Sequence, residues 1–208
     1  MELDLIKSAI GEFVGTYLFL WFSISSIDLF ESNPLGIAFA FGISIAVLVY
    51  GLADISGGHL NCAVTFGLLI TKEIDPVRAI LYLIAQILGS TLGALTAYHG
   101  VGVSGANIVQ SSLLTAMVGE FCGTFLLMYT VKQAIKLSKD LGPLMIGLSV
   151  FVAHLSLMGI DGCSINPTRS FASAVVAGEW RDQYVFWIGP LLGAAAGAGV
   201  HHLSNSNQ

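Results

Sequence analysis

The chain has 208 residues, of which 55% are hydrophobic and only 10% are charged, and its mean hydropathy is +0.81. Soluble globular domains carry about 25% charged residues, so this composition excludes a soluble globular protein and indicates an integral membrane protein. The net charge of −5 comes without a basic patch or charge run that could hold a nucleic-acid backbone, which excludes a nucleic-acid partner.

Six stretches of the sequence are apolar and long enough to cross a hydrocarbon layer of roughly 30 Å. In chain order they run over residues 8–27, 35–52, 77–99, 112–135, 143–160 and 183–202. We therefore predict an all-α membrane protein with six transmembrane helices.

Two shorter apolar runs lie between the second and third spans and between the fifth and sixth. Each follows a tight glycine-containing loop and begins at an Asn that can cap a helix. The loops and starts read Ser56-Gly-Gly-His-Leu-Asn61-Cys-Ala-Val-Thr-Phe66 and Asp161-Gly-Cys-Ser-Ile-Asn166-Pro-Thr-Arg-Ser-Phe171. About ten residues cannot cross a bilayer, so we predict two half-membrane helices, about Cys62–Ile70 and about Pro167–Ala177.

The two halves of the chain repeat one another. Gly11-Glu-Phe-Val-Gly-Thr16 recurs as Gly119-Glu-Phe-Cys-Gly-Thr124 at an offset of 108 residues, and Asn61 and Asn166 lie 105 residues apart. These offsets indicate a duplicated three-span unit. Its two copies cover about 1–104 and about 105–208 and belong to one transmembrane domain. An odd number of spans inverts the second copy, so the half-helices should enter from opposite faces and meet near the midplane.

Two helix N-termini that meet in mid-membrane predict a pore. Their unsatisfied N–H groups and partial positive charge make a polar point that repels cations. The Asn61 and Asn166 amides are expected to lie at this centre. The two motifs comprise Asn61, Cys62, Ala63, Asn166, Pro167 and Thr168.

Glu12 and Glu120 occupy equivalent positions in the first and fourth spans. A lone carboxylate in hydrocarbon is costly, so each should find hydrogen-bond donors inside the helix bundle. We expect each to accept from the backbone of the loop before a half-helix, with Gln86 in a similar supporting role. A proton relay through these residues is the alternative.

Arg169, three residues after Asn166, cannot be neutralised and needs a water-filled cavity, so it should line the pore on the outer side of the Asn pair. His154 lies in the fifth span, twelve residues before Asn166, and would give a second donor at one constriction. The alternative for His154 is a core histidine that is satisfied by a neighbour.

Basic residues divide unequally between the two sides of this topology. One side carries Lys7, Lys72, Arg78, Lys132, Lys136 and Lys139, and the other carries Arg169 and Arg181. Because cytoplasmic loops are enriched in Lys and Arg, both termini are predicted to be cytoplasmic.

Together these features resemble the aquaporins, of the major intrinsic protein family, over essentially the whole chain. The resemblance rests on the six spans, the Gly-Glu-Phe openings of spans one and four, the Gly-Gly-His-Leu-Asn loop and the Asn-Pro-x-Arg-Ser-Phe motif. It implies a selectivity filter of Phe41, His154, Cys163 and Arg169, which matches the water-selective type. His154 and Ser170 stand where the glycerol-conducting branch typically has Gly and Asp.

The resemblance further implies a passive channel for single-file water that excludes protons and ions, in a homotetramer embedded in the bilayer of the cell membrane. It implies neither enzymatic activity nor a cofactor or metal. Backbone carbonyls are expected to offer hydrogen-bond acceptors along the pore. They belong to Gly57, Gly58, His59, Leu60, Gly162, Cys163, Ser164 and Ile165.

The motifs depart from the family pattern twice, with Cys62 where the family usually has Pro and Thr168 where it usually has Ala. The altered first motif keeps open a channel for other small neutral solutes, such as glycerol, hydrogen peroxide or ammonia. A pore-closed structural or junctional protein is another alternative. A membrane enzyme with Cys163 as nucleophile and His154 as base is disfavoured, since no third orienting group is evident.

Overall fold

The computed structural model of this chain describes residues 2–31, 33–137 and 140–205, and this part of the chain forms eight helices. They are α1 (Glu2–Phe30), α2 (Pro34–Leu52), α3 (Cys62–Ile70), α4 (Pro76–Val101), α5 (Leu113–Leu137), α6 (Gly142–Asp161), α7 (Pro167–Ala177) and α8 (Val185–Asn205). The predicted all-α architecture is confirmed. Lys139, one of the predicted cytoplasmic charges, lies outside the described residues.

The six predicted spans correspond to α1, α2, α4, α5, α6 and α8, with ends within about three residues except at the start of α1. That helix begins six residues earlier than predicted, and Asp4 in its first turn pairs with Arg78 of α4 at 2.7 Å. Among the described residues, five helices are long and apolar enough to cross a membrane. The helix α8 has 21 residues, but its many Gly and Ala residues and His201 and His202 lower its hydropathy.

The two half-helices have the bounds that the sequence predicts, as α3 and α7. Asn61 caps α3 through a bond from the Ala63 N–H at 2.8 Å, and Asn166 caps α7 through a longer bond from the Arg169 N–H at 3.4 Å. Both asparagines have the extended backbone that a residue before a helix adopts. The predicted capping is therefore confirmed.

Helix packing follows the internal repeat. The pair α1 and α4 packs together as α5 and α8 do, and α1 contacts α2 as α5 contacts α6. Each half-helix packs against the last span of the other half, α3 on α8 and α7 on α4. Glycines permit these close approaches: a Cβ on Gly89 would collide with the Phe13 carbonyl, and one on Gly193 with the Phe121 carbonyl.

The junction between the two halves is built where α2 crosses α6. A Cβ on Gly42 would come within 2.7 Å of the Gly147 carbonyl oxygen, and a Cβ on Gly147 would meet Gly42 in turn. The main apolar core lies around the two half-helices, and large apolar side chains such as Leu88, Leu114 and Leu203 remain exposed on the outer surface. An apolar core beneath an apolar outer face is the arrangement expected of a protein surrounded by lipid.

Candidate functional site

The N-termini of the two half-helices meet at the paired asparagines. The Asn61 side-chain N–H donates to the Ile165 carbonyl at 2.7 Å, and the Asn166 side-chain N–H donates to the Leu60 carbonyl at 2.9 Å. Each amide therefore bonds to the loop that precedes the other half-helix. These crossed bonds bring two positive helix ends together at one buried point.

The two positions at which the motifs depart from the family pattern touch one another. The Cys62 thiol contacts Thr168, and both side chains are buried. The Thr168 hydroxyl donates to the Asn166 side-chain oxygen at 2.7 Å. A thiol and a hydroxyl thus occupy a junction that a Pro and an Ala would make apolar, while Ala63 and Pro167 remain buried beside it.

The loops before the half-helices are held by two buried carboxylates. Glu12 accepts from the His59 N–H at 2.9 Å and the Leu60 N–H at 2.7 Å. Glu120 accepts from the Ser164 and Ile165 N–H groups, both at 2.6 Å. Each carboxylate therefore fixes two successive peptide units of one loop.

Glu12 has two further partners. The Ser56 hydroxyl donates to it at 2.6 Å and the Gln86 side-chain N–H at 2.8 Å. Gln86 also donates to the Thr65 hydroxyl of α3 at 3.1 Å. Gln86 thereby ties the loop and the half-helix of the first repeat to α4.

Three residues of these loops that are not glycine have a left-handed backbone. The φ angle is +52° at Leu60, +53° at Cys163 and +45° at Ile165. This conformation is unfavourable for a side chain with a Cβ, and especially for the β-branched Ile165. The bonds to Glu12 and Glu120 act on Leu60 and Ile165 themselves, so the carboxylates stabilise the backbone where it is strained.

A cavity of about 730 Å³ runs along the first loop to the paired asparagines and on to His154. Its wall includes five of the eight residues whose carbonyls are predicted to line the pore. They are Gly57, Gly58, His59, Ser164 and Ile165. The Leu60 and Ile165 carbonyls already accept from the paired asparagines. Since a carbonyl oxygen has two lone pairs, each retains one further acceptor position.

Phe41 and Arg169 lie beside His154, which lines the far end of this cavity, whereas neither of the two is among the described residues that line it. The Phe41 and His154 ring centroids are 4.2 Å apart, and the Arg169 guanidinium carbon lies 5.4 Å from the Phe41 ring centroid. Phe41 and His154 are 1% exposed and Arg169 is 2% exposed. Three side chains from α2, α6 and α7 thus form one tight constriction.

Cys163, the fourth predicted filter residue, is fully buried. Within the described part of the chain, it is not among the residues that line the cavity. Its backbone N–H donates to Asp161 at 2.9 Å. The expectation that its thiol borders the pore stays a prediction.

The His154 ring can act as a hydrogen-bond acceptor at the constriction as well as forming part of its wall. Its Nδ1 lies 3.0 Å from the Val150 carbonyl oxygen, which can only accept, so Nδ1 is the donor. The Nε2 of the neutral ring is then an acceptor. Among the described residues, His154 Nε2 and Arg169 Nε are buried without a hydrogen-bond partner. The expectation of two donors is therefore corrected to one acceptor on His154 and one donor on Arg169.

The orientation of Arg169 depends on a residue that the sequence motifs do not reveal. The guanidinium donates to the Gly105 carbonyl at 2.7 Å and to the side-chain oxygen of Asn107. Fully buried Asn107 also accepts from the Ser170 hydroxyl at 2.7 Å and donates to the Asp161 carbonyl at 3.2 Å. The sequence indicates only that a buried Arg needs hydrogen-bond acceptors. It does not indicate that the loop with Asn107 supplies them.

Comparison with known proteins identifies the family. The family model for the major intrinsic protein matches residues 1–201. The chain belongs to this family. It is 40% identical to aquaporin PIP2-4 of Zea mays, over 95% of this chain and 81% of the relative, and 43% identical to aquaporin PIP2-7 of Arabidopsis thaliana, over 94% and 79%. As a family member it is an integral, multi-pass membrane protein.

A solved structure has the same fold. The aquaglyceroporin from Plasmodium falciparum superposes with a TM-score of 0.80 at 24% identity, over 95% of this chain and 93% of the other. At this identity the likeness concerns the fold alone. The family is one of channels and transporters, which agrees with a cavity that passes from a loop-lined mouth to a buried constriction.

Proposed function

We propose that this chain is a passive water channel that excludes protons and ions. The observation that carries the proposal is the constriction of Phe41, His154 and Arg169 at the end of a cavity that passes the paired asparagines. Relatives at 40% and 43% identity are named aquaporins. The proposed filter comprises these three residues and Cys163.

The filter selects water by size and by hydrogen bonding. His154 Nε2 and Arg169 Nε lack partners among the described residues, so we expect a water that enters the filter to donate to the first and accept from the second, while Phe41 offers an apolar wall. The Phe41 and His154 rings are in contact and the Arg169 guanidinium lies over the Phe41 ring, so we expect a point this crowded to exclude a triol. Glycerol is therefore rejected at the same point at which water is bound.

Protons are rejected at the paired asparagines. Each side-chain NH₂ of Asn61 and Asn166 uses one N–H for its crossed bond, so the other can donate to a passing water oxygen. Two half-helix N-termini add partial positive charge at the same point. A water that accepts two such bonds cannot accept a proton from its neighbour in the file, and a cation is repelled.

The carbonyls of the two loops provide a relay of acceptors on the two sides of the paired asparagines. Water exchanges hydrogen bonds stepwise along them, so removal of its bulk hydration is compensated. Glu12 and Glu120 hold the peptide units from which the carbonyls project. Their role in this proposal is structural.

We further propose a homotetramer in the cell membrane with both termini cytoplasmic. Arg169 is 2% exposed in the filter and so is not a loop charge. Of the basic residues on the predicted outer side, only Arg181 is then a loop charge, and it pairs with Glu179 at 2.6 Å. Lys132 on the predicted cytoplasmic side is buried as well, and without these two residues the basic residues still favour that side as cytoplasmic.

Stopped-flow light scattering on proteoliposomes tests the channel. We expect rapid shrinkage in response to an impermeant osmolyte, no glycerol uptake above empty liposomes, and no proton leak by an internal pH dye. Fast uptake of glycerol, hydrogen peroxide or ammonia would instead support a channel for other small neutral solutes. Shrinkage no faster than in empty liposomes would contradict a water channel.

Two tryptophan substitutions in neighbouring positions of α6 provide matched variants. His154→Trp should overfill the constriction and abolish water flux, because its side chain is already in contact with Phe41. Leu155→Trp makes the same new side chain on a face that is 48% exposed and should conduct normally. Equal water flux through the two variants would show that His154 does not line the conducting path.

A further inference from the structure

Two buried carboxyl groups meet beside the filter loop, which runs over residues 162–165. Asp161, the last residue of α6, and Glu120 of α5 are both fully buried. Asp161 Oδ1 accepts from the Cys163 N–H at 2.9 Å. Its Oδ2 has no N–H or O–H donor among the described residues, and the side chain contacts the Glu120 carboxyl group. Two acceptors can make this contact as a hydrogen bond only when one of them carries a proton.

In the other half of the chain, the position equivalent to Asp161 carries a hydroxyl group that makes two hydrogen bonds. The 105-residue offset between the paired asparagines relates Ser56 to Asp161. The Ser56 oxygen accepts from the Gly58 N–H at 3.1 Å, as Asp161 Oδ1 accepts from Cys163, and its O–H donates to Glu12 at 2.6 Å. Asp161 reproduces the first bond, and the second requires a donor proton that an ionised Asp does not have.

The surrounding charges also require this proton. Arg169 is the basic side chain whose charge acts on both carboxyl groups, and its guanidinium is held by Gly105 and Asn107. The Cys163 thiol faces the same pair, and His154 faces Arg169. Two ionised carboxylates beside one guanidinium would leave a net negative charge in a fully buried site. One bound proton removes this charge and relieves the repulsion between the two carboxylates.

We propose that Asp161 is a positioning residue of the filter, and that its Oδ2 and the Glu120 carboxyl group are joined by a hydrogen bond through one shared proton. Asp161 and Glu120 hold one proton between them, and the titration belongs to the pair. Glu120 then accepts from Ser164 and Ile165 and shares the proton with Asp161, where Glu12 accepts from His59, Leu60 and Ser56. The proton fixes the loop that carries Cys163 and leads to Asn166.

Infrared difference spectroscopy of the reconstituted protein at neutral pH detects the proton directly. The wild-type spectrum should contain a carboxylic-acid C=O band that shifts in heavy water and is absent from Asp161→Asn. Asp28→Asn is the matched control, because it makes the same change at an exposed carboxylate and should leave the band in place. If the wild-type and Asp161→Asn spectra share the same acid band, or if neither has one, the shared proton is refuted.

Permeability and thermal stability test the positioning role, whose flux readout rests on the proposed function. Asp161→Asn and Asp161→Ser each retain an acceptor and a donor and should keep the wild-type melting temperature and water flux within about threefold. Asp161→Ala has neither group and should lower water flux by about tenfold, which corresponds to about 1.4 kcal/mol. Asp161→Ala behaving as Asp161→Asn in both measurements would refute the positioning role. If the wild type conducts no water, the channel proposal fails. The infrared band then still tests whether Asp161 and Glu120 share a proton, and the melting temperatures still test whether Asp161 holds the loop.

Discussion

Cys62→Pro restores the residue that the aquaporin resemblance leads one to expect at the start of α3, and we predict that its effect is small. Pro is well accommodated at the first position of a helix, where its fixed φ fits and its missing N–H would be unpaired. The preceding Asn61 has φ −159° and ψ 123°, an extended conformation that a residue before Pro requires. Asn166, with φ −150° and ψ 99°, already precedes Pro167 in the other half.

Two terms of opposite sign set the magnitude. A compatible Pro stabilises by about 0.4–1 kcal/mol through the unfolded chain. Loss of the contact between the Cys62 thiol and Thr168 costs about 0.5–1 kcal/mol, and the Thr168 hydroxyl keeps its bond to Asn166. The net change is within about 0.5 kcal/mol, which is a shift of at most about 2 °C in melting temperature and a change of less than about threefold in water permeability.

Water and proton fluxes are measured side by side in liposomes for the natural chain, Cys62→Pro, Thr168→Ala and the double variant. The double variant replaces the polar contact by an apolar one, so a double-mutant cycle isolates the coupling between the two positions. A proton leak in the natural chain that disappears in Cys62→Pro would show that the substitution is functional. A permeability change of about tenfold or more would equally refute the reasoning.

Three further predictions concern the filter. The double variant with Phe41→Trp and His154→Gly should admit glycerol in the liposome assay, and a variant that assembles normally yet still excludes glycerol would refute the proposed filter. Mercurials should block water flux by modifying Cys163, and full inhibition of Cys163→Ser would assign the block to another thiol such as Cys62. Asn107→Ala removes a buried acceptor of the guanidinium, so it should lower stability by about 1.5–3 kcal/mol and raise glycerol uptake, whereas unchanged glycerol exclusion would show that Gly105 alone holds Arg169.

The half-helices could be predicted to the residue because local chemistry determines both ends. Asn61 and Asn166 cap the starts through bonds to N–H groups two or three residues ahead, and the short apolar runs limit the length. The ends of the spans were predicted less closely. The spans were identified as apolar stretches, so polar helical turns at their ends, such as the one that contains Asp4, were not included. Its contact with Arg78 is made 74 residues away along the chain.

The partners of the filter could not be predicted, because they are distant in sequence and carry no motif. Asn107 meets Arg169 across 62 residues, and it lies in an irregular segment between α4 and α5. Asp161 is part of the second motif, but its contact with Glu120 is seen only in the structure. The tautomer of His154 likewise depends on the Val150 carbonyl one helical turn earlier, which spacing alone does not assign.

The contacts of Glu12 favour one of the two roles that the sequence leaves open for this glutamate. Its two oxygens together accept four hydrogen bonds, from Ser56, His59, Leu60 and Gln86, at 2.6–2.9 Å. A carboxylate has about four lone-pair positions, so none remains to receive and pass on a proton. Those bonds instead act on a loop in which a left-handed residue such as Leu60 costs about 1–2 kcal/mol, and charge-assisted bonds are strong enough to offset that cost. Glu12 is therefore a support for the strained loop, and a proton relay through it would require the loop to be released first.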